Sequence, residues 1–535
     1  MSLFYYIIKM ILTILLLVLT VTIVLIIVLL TLSAEVKLPK ISLNEDGKFV
    51  DSTGNEVILR GVNISHKMYP YTYGDVFLTP ISEHINYIKS NLGFNSIRLA
   101  ICWDAIEPTP GNYNDNYINS IFGTVNFFQK FGIYTLFSFQ TNAYAINSGG
   151  WGNPNWSIMN PNDTVSDIGF PGILFGGAQD GEGGTISLTL SNTVDLFWAN
   201  TPYLGTGIRD RYYDMVLYFL GRIKNNSLIR DAIQGIDFQN EPWPGTRWIE
   251  ALATADRPPP VPDLFGDYYE WSAAGTVVLD TDILEPHYKD FIEKYREKFS
   301  GKDFIIYFQP FLIFGSGCPA NLNFNNILTN VSDTQVVFNF HNYAEQSSVC
   351  FNNAQTVLSS YTKSNNNILG IYMSEFGADP TTAGWGADII ELTDQGRYSY
   401  NYWVYLQKLD FFFSEGSPPY PSQSIYTNPE IPFDSQYINE NISQGLSTPY
   451  PKSVPGEITS YGLNTDDNFE VLFQLKNFNS LRISVPYRYF SNNSYNVEIY
   501  KNSILEKNLS NIRQTDLSIS LFYISLNDNV NVILV

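Results

Sequence analysis

The stretch "IQGIDFQNEPWPG", Ile233–Gly245, begins as a mostly apolar run and ends on an amide and a carboxylate, Asn240 and Glu241. Apolar residues do not alternate with polar ones here, which is the pattern of a strand covered on both faces, as in a parallel sheet. Two prolines, Pro242 and Pro244, restrict the backbone just beyond the acid. A strand of this kind, with its functional groups gathered at the C-terminal end, is what a parallel barrel requires.

Seven similar runs lie around it. They are "VILRGVNIS" (Val57–Ser65), "SIRLAICW" (Ser96–Trp103), "YTLFSFQ" (Tyr134–Gln140), "FIIYFQP" (Phe304–Pro310), "VVFNFHNY" (Val336–Tyr343), "ILGIYMSEF" (Ile368–Phe376) and "YNYWVYL" (Tyr400–Leu406). Segments of helical spacing separate them, among them "ISEHINYIKSNLG", "YINSIFGTVNFFQKFG" and "RYYDMVLYFLGRIK". Eight strands alternating with helices predict a (β/α)8 TIM barrel of α/β class over residues 41–448. The aromatics of the eighth run suit a helix as well as a strand.

Beyond Pro449 the pattern changes. Residues 449–535 read as a linker followed by short alternating runs such as "FEVLFQL" and "YNVEIYKN" with Asn-rich turns. They predict a C-terminal antiparallel β-sandwich domain. Residues 1–40 form a third region, an N-terminal hydrophobic segment that is almost wholly apolar from Met10 to Ala34. That run is long for a signal-peptide core and long enough to span a bilayer, so a signal-anchor is expected in preference to a cleaved signal peptide. Either puts the body in the secretory pathway, lumenal or extracellular. Asn-x-Ser/Thr sequons at Asn63, Asn155, Asn162, Asn225, Asn330, Asn441, Asn492 and Asn508 agree with that compartment, although an Asn-rich chain produces some by chance.

Composition narrows the function. The net charge of −21 over 535 residues argues against a nucleic-acid partner, because phosphate binding needs clustered Lys and Arg. Three cysteines cannot make a disulfide scaffold; Cys102 reads as a buried thiol, and Cys318 with Cys350 are open to pairing. The four histidines are scattered singly, so no metal site and no cofactor are expected.

Polar residues collect at the strand ends: Arg98, Gln140, Asn240 with Glu241, His341 with Tyr343, and Glu375. Singly, each has an ordinary explanation, such as a salt bridge, a satisfied core histidine or a turn. Together, in barrel order, they suit a retaining glycosidase, in which one carboxyl works as acid and then base while the other is the nucleophile. The acid should then have a raised pKa and the nucleophile should stay ionised. Arg98 is placed to hold Glu375 as a carboxylate, with Tyr343 as a further donor to it. Two long Gly/Pro-rich loops with apolar side chains, after strands three and four, should rise over this face and offer a lipid trough beside the sugar pocket.

The motifs "LRGVNISHK", "WDAIEPTPGNY", "NEPWPG", "HNY", "SEFG" and "PYPKSVPG" resemble family-five retaining glycoside hydrolases of the cellulase-like clan, in their endoglycoceramidase branch, over roughly residues 55–480. The resemblance implies Glu241 as acid/base and Glu375 as nucleophile. It also implies that Asn240, His341 and Tyr343 line the reacting sugar's site, that Lys67 contacts the glycan and that Trp403 is a sugar platform. One segment departs from the pattern. Where the family carries Asp-Met-His-Gln-Asp, this chain has "SFQTN", so its sugar-binding His and second Asp become Gln140 and Asn142. The expected substrate is a glycosphingolipid at a membrane surface, reached through the N-terminal segment or the apolar loops. An exo-acting β-glucosidase on glucosylceramide or a steryl glucoside is the alternative from the same clan. A membrane-tethered, non-catalytic sugar-binding protein is the alternative of another class.

Overall fold

The computed structural model describes residues 37–535 except 68, 70, 72–80, 142–143, 146–150, 159–187, 246, 248–278, 318, 345, 378–385, 409–422, 429–431, 467, 488 and 490–493, and without the side chains of 188–192, 313, 316, 387 and 407–408. Contacts divide the chain into Met1–Lys37 and Leu38–Val535, and the barrel and C-terminal sheets belong to the second unit. The expected N-terminal hydrophobic segment lies outside the described residues, as do most of the two long loops and Asn142. Among the described residues no helix is long and apolar enough to cross a membrane.

Eight parallel strands close into a barrel. They are β1 (Arg60–His66), β2 (Ser96–Ile101), β3 (Tyr134–Phe139), β4 (Ile233–Asp237), β5 (Ile306–Phe308), β6 (Gln335–Asn342), β7 (Ile368–Phe376) and β8 (Tyr400–Lys408). The eighth run is therefore a strand, pairing with Met373 of β7 and with Arg60–Val62 of β1. Helices such as Asp115–Lys130 and Ile208–Lys224 cover the outside, which is why the strands read as continuous apolar runs. Asn114 caps the first of these helices by accepting the N–H of Tyr117.

The inside of the barrel is filled from below upward. Phe49, on a short strand ahead of β1, plugs the bottom against Tyr307 and Tyr372, with ring centroids 6.4 and 5.9 Å away. Gly235 of β4 makes room for this layer, since a Cβ there would come within 2.2 Å of the Tyr307 ring. Above it, polar side chains replace apolar ones. Ser96 donates to Gln234, and higher still Arg98 and Asp237 meet at the barrel axis with their side chains fully buried.

Two antiparallel sheets account for the C-terminal residues. One has five strands, Gly456–Leu463, Phe469–Leu475, Asn529–Leu534, Tyr495–Lys501 and Ile504–Ile512 in that spatial order. The other has six and is shared. Three short strands ahead of the barrel, Ile41–Leu43, Phe49–Asp51 and Glu56–Val57, pair onto Tyr450–Val454, which carries Leu481–Ser484 and Asp516–Ile519. This sheet is tied to the barrel by Arg60, whose guanidinium pairs with Asp394 and lies 4.6 Å from the Tyr450 ring centroid.

The Asn63 sequon is not a glycan acceptor in this fold. Asn63 sits inside β1, and its side chain is consumed by Arg98 and by the carbonyls of Ser374 and Tyr402. The sequons at Asn225, Asn330, Asn441 and Asn508 are exposed; Asn155 is half-buried, and Asn162 and Asn492 lie outside the described residues. Cys102 is a buried thiol, as expected, and burial pushes its pKa up to about 12. Cys350 is buried against the carbonyls of Phe314 and Gly315; its pairing with Cys318 concerns a residue outside those described.

Candidate active site

The C-terminal ends of β2, β4, β6 and β7 converge on two glutamates. Glu375 is held from two sides: Arg98 Nη1 donates to its Oε1 at 2.5 Å and the Tyr343 hydroxyl to its Oε2 at 2.9 Å. Glu241 lies just beyond β4, its Oε1 2.8 Å from His341 Nδ1. Oxygens of the two carboxyls and the His341 ring nitrogen all lie within 4.8 Å of one another.

A slip in register brings the histidine there. Phe340 pairs with Met373, so a regular parallel ladder would set His341 beside Ser374. Instead it pairs with Glu375, because β7 carries one extra residue at this point. Such bulges re-aim side chains near functional sites. The displaced Ser374 turns its hydroxyl to His341 Nε2, 3.1 Å away, so both ring nitrogens are engaged, Nδ1 by Glu241 and Nε2 by Ser374.

Beneath the glutamates is a fully buried charge network. Arg98 donates from Nε and Nη2 to Asp237 Oδ2, from Nη2 to Asn240 Oδ1 and from Nη1 to Asn63 Oδ1 as well as to Glu375. Burial alone would lower the guanidinium's pKa, but Asp237 and Glu375 outweigh it and raise it. Asp237 also accepts from Ser138 and, through both oxygens, from Gln309. Gln309 in turn accepts the Glu241 backbone N–H at 2.9 Å.

Three titration directions matter. Burial raises the pKa of Glu241, but the hydrogen bond and charge of His341, with Lys67 and Arg98, outweigh it and hold the carboxyl below its ordinary range. This corrects the expectation of a raised pKa for the acid. Tyr343 is pushed well up by burial and by Glu375 and Glu241, so its phenol stays protonated and keeps donating. Lys67, buried beside both glutamates, has its pKa lowered to about 8, chiefly by desolvation. Its ammonium lies 4.9 Å from the Trp403 ring centroid and 5.8 Å from that of Trp151.

The structure thus brings together Glu241, Glu375, Arg98, Asn240, His341 and Tyr343 in one hydrogen-bonded cluster, with Lys67 and Trp403 stacked beside one another. Gln140 lies on the inner wall above Ser138, to which its Nε2 donates at 2.9 Å. Its Oε1 is buried without a hydrogen-bond partner among the described residues, a free acceptor for an incoming hydroxyl. Asn142 lies outside the described residues. Asp237, Gln309 and Ser374 join the site without having been singled out in the sequence, as does Asn63, which the sequence marked only as a sequon. The signal for Asp237 was present, as a lone acid inside an apolar strand. Glu241, His341 and Glu375 form a donor set within metal-ligand reach of one another. A cation there would displace the proton that His341 gives to Glu241 and occupy both carboxylates.

A TIM barrel with two facing carboxyls, one of them against a buried arginine, has the architecture of a barrel glycosidase. The chain is 28% identical over 220 residues to "Endoglycoceramidase I" of Rhodococcus hoagii, covering 40% of this chain and 39% of that protein. It is 32% identical over 148 residues to "Ergosteryl-beta-glucosidase" of Saccharomyces cerevisiae, covering 22% of this chain and 19% of that one. These matches therefore span well under half of each relative's length. Among solved structures it is similar to endo-glycoceramidase II from Rhodococcus sp. in its ganglioside GM3 complex, with TM-score 0.60 and 17% identity over 92% of this chain and 99% of that one. That likeness concerns the fold. No protein-family model matches the chain. The relatives' names support the endoglycoceramidase-like branch read from the sequence motifs.

Proposed function

We propose that this chain is a retaining β-glycosidase that cuts between glycan and ceramide in glycosphingolipids. The observation that carries the reading is the spacing of the carboxyls, within 4.8 Å at their facing oxygens. Retaining enzymes hold the two carboxyl groups about 5–5.5 Å apart, whereas inverting ones leave about 6.5–9.5 Å for a water. Relatives named endoglycoceramidase supply the substrate class.

In the first step a Glu375 oxygen attacks the anomeric carbon, the bond to the leaving oxygen breaks, and Glu241 gives that oxygen its proton. A glycosyl ester on Glu375 and a free ceramide hydroxyl result. In the second step Glu241, now a carboxylate, takes a proton from water, whose oxygen attacks the anomeric carbon and releases Glu375. Arg98 and Tyr343 each donate to Glu375 and hold it oriented before attack. His341 steadies Glu241 in its anionic, base-competent form, which suits the second step. Protonation for the first step is then favoured at acidic pH. Asn240 and Gln140 offer an amide and a free acceptor to sugar hydroxyls, and Trp403 a ring face.

Exo-acting β-glucosidase activity on glucosylceramide or a steryl glucoside is the second reading. It is favoured by the neutral Gln140 in the sugar pocket and by the relative named for ergosteryl glucoside. The apolar run Met10–Ala34 supports membrane anchoring, with the body lumenal or extracellular. Incubation with ganglioside, lactosylceramide and glucosylceramide separates the readings. An intact oligosaccharide supports endo action, glucose alone supports exo action, and no product from any of them refutes both.

A further inference from the structure

We infer that Gln309 is a positioning residue for the acid/base, and that it aims Glu241 through the backbone and not through the carboxyl. The inference rests on the acid/base role proposed for Glu241. Glu241 has φ +44°, in the left-handed region that side-chain-bearing residues seldom occupy. This conformation turns the chain off β4 so that the carboxyl faces Glu375, and it persists only where neighbours impose it. Gln309, just past β5 and 2% exposed, supplies that constraint. Its Oε1 accepts the Glu241 N–H at 2.9 Å, while its Nε2 donates to Asp237 at 3.0 and 2.8 Å. The amide cannot turn over. Asp237 only accepts, so Nε2 must face it and Oε1 must face the Glu241 N–H. One of these Asp237 oxygens, Oδ2, also accepts from Arg98, which holds Glu375. One glutamine therefore references the acid's backbone to the carboxylate that orients the nucleophile's arginine, setting the distance between the two catalytic groups.

The direct bonds of Gln309 to the acid and of Arg98 to the nucleophile make the two roles separable by leaving group. An octyl β-glycoside needs its departing oxygen protonated; a dinitrophenyl β-glycoside of the same sugar leaves without a proton. Removing Gln309 lets Glu241 relax and misaims the proton while leaving Arg98, Tyr343 and Glu375 in contact. For Gln309→Leu, kcat/KM on the octyl glycoside is expected to fall about 100-fold, the lower range of what general acid catalysis supplies, and under about tenfold on the dinitrophenyl glycoside. Gln309→Asn keeps the amide but is one methylene too short to reach both partners, so it shows the same selective loss and stands in where the leucine variant fails to fold. Equal losses on the two glycosides in a folded variant, or no loss on the octyl glycoside, overturn the inference. Wild-type protein inert to both glycosides overturns the proposed function and this inference with it; a wild type that cleaves both isolates the inference.

Discussion

Arg98→Met removes the one guanidinium that bridges Asp237 and Glu375, and the structure sets the size of the effect. All three side chains are 5% exposed or less. The substitution keeps much of the aliphatic volume but deletes two bonds to Asp237 and one each to Glu375, Asn240 and Asn63. Asp237 keeps Ser138 and Gln309, and Glu375 keeps Tyr343, so neither carboxylate is stripped of donors. What remains uncompensated is charge. Removing one partner of a buried ion pair costs about 3–5 kcal/mol, and the surviving neutral donors place this case near the middle, about 4 kcal/mol at pH 7. Adding Asp237→Asn should restore about 2 kcal/mol by deleting one of the two orphaned charges. Urea unfolding of the single and double variants at pH 7 measures both. A loss under about 1 kcal/mol at pH 7, or no recovery on adding Asp237→Asn, would refute the reasoning.

Other outcomes follow from the same geometry. Glu241 is held below its ordinary range by His341, so the free enzyme carries a protonated acid only at acidic pH and kcat/KM should fall as pH rises. His341→Ala removes the main opposing influence on burial, so the basic limb of that profile should move to higher pH; an unmoved limb would detach His341 from the acid. Gly235→Ala puts a Cβ into the Tyr307 ring and should destabilise by about 1–3 kcal/mol in thermal or urea unfolding. Gln140→Leu deletes the buried free acceptor and should weaken kcat/KM by about tenfold, while the lost donor to Ser138 should cost about 1 kcal/mol of stability in urea unfolding.

The barrel was legible because eight doubly covered strands leave eight apolar runs, and because the strand-end acids stand out where those runs stop. The glutamates, Arg98 and Tyr343 could be read from strand order alone. The strands at Ile41–Leu43, Phe49–Asp51 and Glu56–Val57 could not. They belong to a sheet completed by residues about four hundred positions away, and runs of two or three residues carry no periodicity. The role of Gln309 was hidden for a different reason, since its meaning depends on the φ of Glu241 and on Asp237, neither of which a local pattern encodes. The direction of the Glu241 shift was misjudged because it was drawn from the acid's chemical role, and no local pattern shows that a bulge in β7 delivers His341 Nδ1 to the same carboxyl.

The central claim is that Glu375 attacks the sugar and Glu241 handles the proton. The most direct measurement is intact-protein and peptide mass spectrometry after incubation with a glycoside inactivator bearing fluorine beside the anomeric carbon and a good leaving group. Fluorine slows both steps, and the activated leaving group lets the first outrun the second, so a glycosyl ester accumulates. One fluoroglycosyl mass on the peptide containing Glu375, absent in Glu375→Gln, is the expected result. A label on Glu241 or another carboxyl, or turnover that releases the inverted anomer with no label at all, would contradict it.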